Sequence, residues 1–214
     1  MAQAGAWNRY AAGQPRSTVL HVEIDRAAMA RIERELQGIP GGIRRVMPPA
    51  MNKAAAETKT MLYRAFSERM NISRKGSIKE RLKLVPKASR DNMAAGIRID
   101  LARFTVASFK RTRQMKAGVR WSPGGGRMLM IPRAFLRKGL THYQTGKHMD
   151  LRQVWRRAGD GDDLVPRYPL KILRGPSLAA VFERDESFQS DAERRAGDIL
   201  EKKIIQQIDR VVKR

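Results

Sequence analysis

The sequence predicts an α+β fold: a mainly antiparallel sheet packed by a long central helix and a C-terminal helix, with an extended N-terminal arm. Three observations carry that expectation. Apolar residues recur at i, i+3, i+4 and i+7 from about residue 43 to 70, and again from 191 to 212, which is helical spacing. Near residue 94 the period changes to two, the signature of half-buried strands. Helices and strands also come in blocks rather than alternating, which argues against a parallel nucleotide-binding sheet.

Residues 1–16, MAQAGAWNRYAAGQPR, have no apolar period and are expected to be an arm ordered by a neighbouring chain. Residues 17–214 are expected to form one domain, with a basic strand-rich insertion at about 94–163. Ser17–Asp25 alternates Val19, His21 and Glu23 against Leu20, Val22 and Ile24, a strand pattern that puts His21 on the solvent side. Asp25 is placed to cap a short helix, Arg26 to Leu36, and Gly38, Pro40, Gly41 and Gly42 end it.

The central helix carries Val46, Met47, Ala50, Met51, Ala54, Met61, Leu62 and Phe66 on one face. Pro48 and Pro49 interrupt that pattern. Proline lacks the N–H of a helical bond and clashes with the turn before it, so the continuous helix is expected to start at Pro48 or just after and to run to about Met70. The methionines at helical spacing read as core. Ser77–Leu84 reads as a short basic helix. Ala95–Leu101, Met115–Trp121 and Met128–Ile131 read as strands, with turns at Arg111–Arg113 and Ser122–Gly126. Arg167–Leu173 is a further strand, and Gly175 and Pro176 are expected to shape a structural turn into a short helix, Leu178–Phe182. The final helix, Asp191 to Val212, opens on an apparent capping box of Ser190 and Glu193.

Charge points to function more directly than any motif does. The net charge is +23, and residues 41–160 hold twenty-eight basic against seven acidic side chains, while both ends are close to neutral. Within Phe109–Gly139 lie Lys110, Arg111, Arg113, Lys116, Arg120, Arg127, Arg133, Arg137 and Lys138, with no acidic residue among them. Such a segment is suited to a phosphate-bearing or carboxylate-bearing partner. No helix-turn-helix, finger or RNA-recognition signature accompanies it, so base readout is not expected.

Catalytic and ligand signatures do not assemble. The glycine triplet in SPGGGRMLMIP is followed by no GK[ST] and by no helix start, so it fails both the P-loop and the dinucleotide patterns and reads as a hairpin tip. His21, His142 and His148 form no HExxH. GDGDD at 159–163 lacks the alternating ligands and closing glutamate of a calcium hand. No serine sits in a nucleophile elbow. No enzyme, no cofactor and no metal site is expected. Cysteine is absent, and no apolar run reaches the ~20 residues of a membrane helix, so no membrane association is expected.

The order of short motifs resembles a known family. Ile39-Pro40-Gly41-Gly42 precedes the Ala-rich MNKAAAETKT, then come MNIS at 70–73, IKERLKL, IPRAF, RYPLKILRGPS and a tail ending in IDRVV. Over about residues 38–212 this resembles the minor tail protein Z family of tailed bacteriophages. The most specific piece is Pro169-Leu170 followed by Leu173, Gly175, Pro176 and Ser177. Pro48-Pro49 and the long Gly139–Asp163 loop depart from the pattern. The resemblance implies a structural virion protein, assembled in the host cytoplasm, that completes the tail or joins head and tail around the DNA channel. It implies a homo-oligomeric ring and other phage tail or neck proteins as partners, and basic residues that meet DNA nonspecifically or an acidic neighbour. The alternative is a free nonspecific nucleic-acid-binding protein.

Overall fold

The computed structural model describes residues 18–22, 26–37, 39, 41–138, 140–141, 148–149, 152–157 and 170–213. The arm at 1–16, His142 and the GDGDD segment lie outside them. In chain order the elements are β1 (Thr18–Val22), α1 (Arg26–Glu35), α2 (Gly42–Arg69), α3 (Gly76–Glu80), β2 (Leu82–Leu84) and β3 (Ala95–Ile99). A single 3-10 turn at Val106–Ser108 precedes β4 (Arg113–Met115), β5 (Gly118–Gly124), β6 (Arg127–Pro132), β7 (Phe135–Arg137), β8 (Leu140–Thr141), β9 (His148–Met149), β10 (Gln153–Arg157) and β11 (Leu170–Ile172). The chain closes with α4 (Leu178–Glu183) and α5 (Glu186–Val212). Every strand pairing among the described residues is antiparallel, in keeping with the half-buried period-two pattern.

The elements fall into two compact units, one of residues 1–65, 79–101 and 178–214, the other of residues 66–78 and 102–177. In the first unit β3 is the central strand of a three-stranded sheet, order β1-β3-β2. Ile97 and Ile99 are fully buried there. Ile32 and Leu36 of the α1 segment, Val46, Met47, Ala50, Met51 and Ala54 of α2, Ala95 of β3, and Ala196, Leu200, Ile204 and Ile208 of α5 form one apolar cluster. The methionine stripe of α2 is therefore packing.

Three boundaries differ from the sequence expectation, and each difference has a physical cause. The α2 helix runs unbroken from Gly42 through Pro48 and Pro49. Those prolines cost about 3 kcal/mol each in a helix interior. Val46, Met47, Ala50 and Met51 around them are all buried, and each large side chain contributes about 1.5–3 kcal/mol, so packing outweighs local propensity. The Ser77–Leu84 stretch divides: α3 stops at Glu80, and Leu82–Leu84 pairs with Ile97–Ile99 because that ladder buries Leu82. The last helix begins at Glu186 rather than Asp191. Its N-cap is Asp185, which accepts a 2.9 Å hydrogen bond from the Phe188 N–H, and Ser190 and Glu193 lie inside the helix. Phe188, buried edge-on against Phe182 with centroids 5.1 Å apart, holds the earlier start.

The second unit holds two three-stranded sheets, β4-β5-β6 and β11-β10-β7, and the short β8-β9 pair. Its core is aromatic. Phe109 stands edge-on to Trp121 at 5.0 Å and to Phe104 at 6.3 Å, and Trp155 is fully buried with its indole N–H donating to the Arg137 carbonyl at 3.1 Å. Gly175 and Pro176 run beside Phe104, whose carbonyl accepts from the Gly175 N–H at 2.7 Å and whose N–H donates to the Pro176 carbonyl at 3.4 Å. Gly175 is glycine for space, since a Cβ there would stand 2.7 Å from Phe109 Cε2 and 3.1 Å from Trp121 Cζ3.

Candidate functional site

The basic stretch 110–138 folds into the β4-β5-β6 sheet and the turns around it. The single strand expected at Met115–Trp121 is two strands, β4 and β5, joined at Lys116–Ala117, and the reversal expected at Arg111–Arg113 sits at Lys110–Arg111. The glycine triplet builds the second hairpin. Gly124 pairs with Arg127, and Gly125 and Gly126 between them have φ +58° and +73°, the left-handed pair that lets a two-residue turn match strand twist. Gly124 itself, at φ +154°, bridges to Met70, and a Cβ there would collide with the Arg69 carbonyl oxygen. The triplet is a hairpin tip, not a phosphate cradle.

All nine basic residues of the stretch are exposed. Strand alternation sorts them. Arg113 of β4 stands directly opposite Arg120 of β5, and Arg120 is opposite Met130 of β6. Met115, Arg113, Arg120, Met130 and Pro132 thus share one exposed face, while Val119 and Trp121 on the other face are buried. Arg127 sits at the hairpin tip and Lys116 at the β4–β5 turn. Arg137 ends β7 opposite Gln153, with Lys138 next to it. From Leu101 to Met149 the sequence contains no Asp or Glu.

Two of the nine occupy strained backbone. Arg111 has φ +60° and Arg133 φ +57°, the two non-glycine residues with positive φ among the described residues. An Arg in this region costs about 1 kcal/mol relative to glycine. Local bonds hold both: the Lys110 N–H donates to the Asn71 carbonyl at 2.6 Å, Thr112 Oγ1 lies 2.9 Å from the Val106 and Phe109 carbonyls, and the Arg133 N–H donates to the Ala117 carbonyl at 3.1 Å.

The sequence did not reveal Gln114. Its side-chain amide donates to the Met115 and Gly118 carbonyls at 2.9 Å and its Oε1 accepts from the Leu136 N–H at 2.8 Å, so one side chain joins the β4–β5 turn to β7. Met115 and Met130 were also missed as surface residues, because their outward placement follows from the pairing of Met115 with Gly118 and of Met130 with Arg120. The second unit carries further cations outside the stretch, including Arg69, Lys75, Arg103, Arg152, Arg157 and Arg174, which only the fold collects. Among the described residues no three His, Asp or Glu converge as metal ligands, and no helix is long and apolar enough to cross a membrane.

The family model for prophage minor tail protein Z matches residues 30–214. The chain belongs to that family. The match begins a few residues before the motifs at 38–212 and runs through the basic unit to the C-terminus, so the cation-rich sheet belongs to the family region and is not an appendage to it. Minor tail protein Z is a phage tail structural protein, and a tail protein has other tail proteins as its neighbours in the virion. No significant match was found among curated proteins or among solved structures.

Proposed function

We propose that this member of the minor tail protein Z family completes the tail, or joins head and tail, around the DNA channel, and that it does so through ring contacts between copies. It is assembled in the host cytoplasm and acts by binding, without catalysis or cofactor. The observation that carries this reading is the charge of the second unit. Its described residues include eighteen Lys and Arg and one carboxylate, Glu68. Cations packed at this density repel across the ~8 Å that salt leaves unscreened, and they become favourable against phosphates or carboxylates. Arg111 and Arg133, held in strained turns, together with Lys110, Lys116 and Arg127 at turns, suit nonspecific contact with a backbone that must slide. Long cationic side chains grip phosphate without reading bases.

Replacing Lys110, Arg111, Arg113 and Lys116 together by Gln is expected to reduce particle yield and infectivity. Unchanged yield and infectivity across a range of salt would leave these residues as a solvated face and sink the proposal. The second reading, a free nonspecific nucleic-acid-binding protein, draws on the same eighteen cations. It predicts tight, salt-dependent duplex binding by the isolated chain and no incorporation into particles. The structural reading predicts incorporation.

A further inference from the structure

We propose that the outer face of the β4-β5-β6 sheet docks on the outer stripe of α5 in a second copy of this chain. The inference rests on the reading of the protein as a self-associating tail component and names the two surfaces that meet. Among the described residues the large hydrophobics left exposed are Val85, Met115, Met130, Ile205 and Val212. All but Val85 lie on these two surfaces. Met115 and Met130 are 39% and 45% exposed on the sheet, and Ile205 and Val212 are 52% and 58% exposed on the helix.

The surroundings of the two pairs have opposite charge. On the sheet the thioethers sit with Arg113 and Arg120. On α5 the residues Asp198, Glu201, Ile205, Asp209 and Val212 follow one another at steps of three and four, so they form one stripe away from the buried Ala196, Leu200, Ile204 and Ile208. A shallow depression lined by Asp198, Glu201, Lys202, Ile205 and Gln206 runs along it. Three carboxylates outnumber Lys202 beside them and, with two aliphatic side chains, complement two guanidiniums with two thioethers. Docking would cover four exposed apolar groups and relieve the Arg113–Arg120 repulsion together. DNA would satisfy the arginines and leave both methionines facing a polar backbone, whereas methionine adapts readily to an aliphatic helix surface. The two surfaces are unlike each other, so each copy offers one donor and one acceptor face, and head-to-tail repetition of the contact, which the proposal takes, builds rings or filaments.

Sedimentation at physiological salt tests this with two variants, Arg113→Glu/Arg120→Glu on the sheet and Asp198→Lys/Glu201→Lys on α5. Circular dichroism checks that each is folded, and Met130→Gln and Ile205→Gln serve as charge-neutral companions. Each charge-reversed variant is expected to self-associate roughly tenfold or more weakly, the scale of coupling between close charges at an interface. A heterologous contact further predicts that each variant retains one intact face. Chains carrying both reversals should then recover association through the swapped pair. Association that persists unchanged in both single-face variants would overturn this pairing of surfaces and leave self-association by another route. A wild-type chain that stays monomeric would overturn the pairing and weaken the ring reading with it. Loss of duplex DNA binding in Arg113→Glu/Arg120→Glu with self-association intact would reassign the sheet face to nucleic acid and overturn the proposal.

Discussion

In the first unit cations and carboxylates are interleaved along the same helices. Glu57 of α2 meets Lys203 of α5 at 2.6 Å, Asp191 meets Arg194 at 3.0 Å and Glu35 meets Arg31 at 3.2 Å. In the second unit Glu68 is the one acidic residue among the described residues, and two arginines even face each other across adjacent strands. The first unit has a long helical core in which alanines and methionines pack. The second holds together with a few aromatic rings, a glutamine that joins three backbone segments, and glycines at points of close approach. A surface that repels itself is stable only if its core and backbone ties outweigh that repulsion, or if a partner neutralises it. The first unit pairs charges within and between its helices, and under the proposed function the second meets its counter-charge on a partner.

The sharpest break in that comparison targets the ties of the second unit. Gly124→Ala would drive a Cβ into the Arg69 carbonyl at a backbone angle that side chains rarely adopt, and should destabilise the second unit by about 3 kcal/mol or more. Gly175→Val, which crowds the Phe109 and Trp121 rings, should cost about 1–3 kcal/mol. Hydrogen exchange read peptide by peptide should show the loss in residues 102–138 and leave protection of α2 up to Ala65 and of α5 unchanged. Equal loss in both units would mean that they do not respond separately. In the first unit Asp185→Ala removes the cap of α5 and should cost about 1 kcal/mol, seen as faster exchange at residues 186–190.

The parts of the fold legible in the sequence were those where one signal acts alone. The period-two run placed β3 and β6 close to their observed limits, and helical spacing placed most of α2. Where two signals competed, the local one lost. Proline chemistry at Pro48 and Pro49 yielded to burial of their neighbours, and the capping box at Ser190 yielded to Asp185 because Phe188 had a ring to pack on. The nine cations were visible as residues, and all nine are exposed, but their arrangement was not. The reversal at Lys116–Ala117 sets which side chains share a face, and the sequence carries no strong turn signal there. Gln114 was illegible for a different reason: its partners at Gly118, Ala134 and Leu136 become neighbours only after two strands have paired.

A smaller effect separates the units by salt. Arg120→Gln removes one of the two arginines that face each other between β4 and β5, and it should raise the stability of the second unit by about 0.5 kcal/mol at low ionic strength. The gain should shrink as salt rises, since screening already quiets the pair. A gain that is independent of salt would point to packing instead. The Arg111→Gly variant sharpens the same point: relief of the left-handed arginine should stabilise the turn by up to about 1 kcal/mol while weakening contact with an anionic partner. If both stability and partner affinity rise, the strained arginine has no binding role.

The smallest expected effect runs on pH and should touch only the first unit. The Glu57 carboxyl is held below its ordinary value of 4.5, first by the hydrogen bond from Lys203 and also by the charges of Lys203 and Lys202, against an upward push from burial. A carboxyl depressed in the folded state stabilises the fold fully above its ordinary value, and that contribution is lost as pH falls through the lower folded value. The Glu57 side chain is 48% exposed, so solvent screens the pair and its contribution is about a few tenths of a kcal/mol. Lys203→Met should remove it while keeping the stem that packs beside α2. The variant should therefore be slightly less stable than wild type at neutral pH, and the two should converge below pH 4.5, where wild type gives up what the variant never had. The second unit has Glu68 as the one carboxylate among its described residues. Exchange protection in residues 102–138 should change less between pH 6 and pH 3.5 than protection along α2 and α5. The absence of a gap at neutral pH would show that Lys203 acts through its stem alone, and a gap that stays constant through that range would show that it does not come from the carboxylate of Glu57.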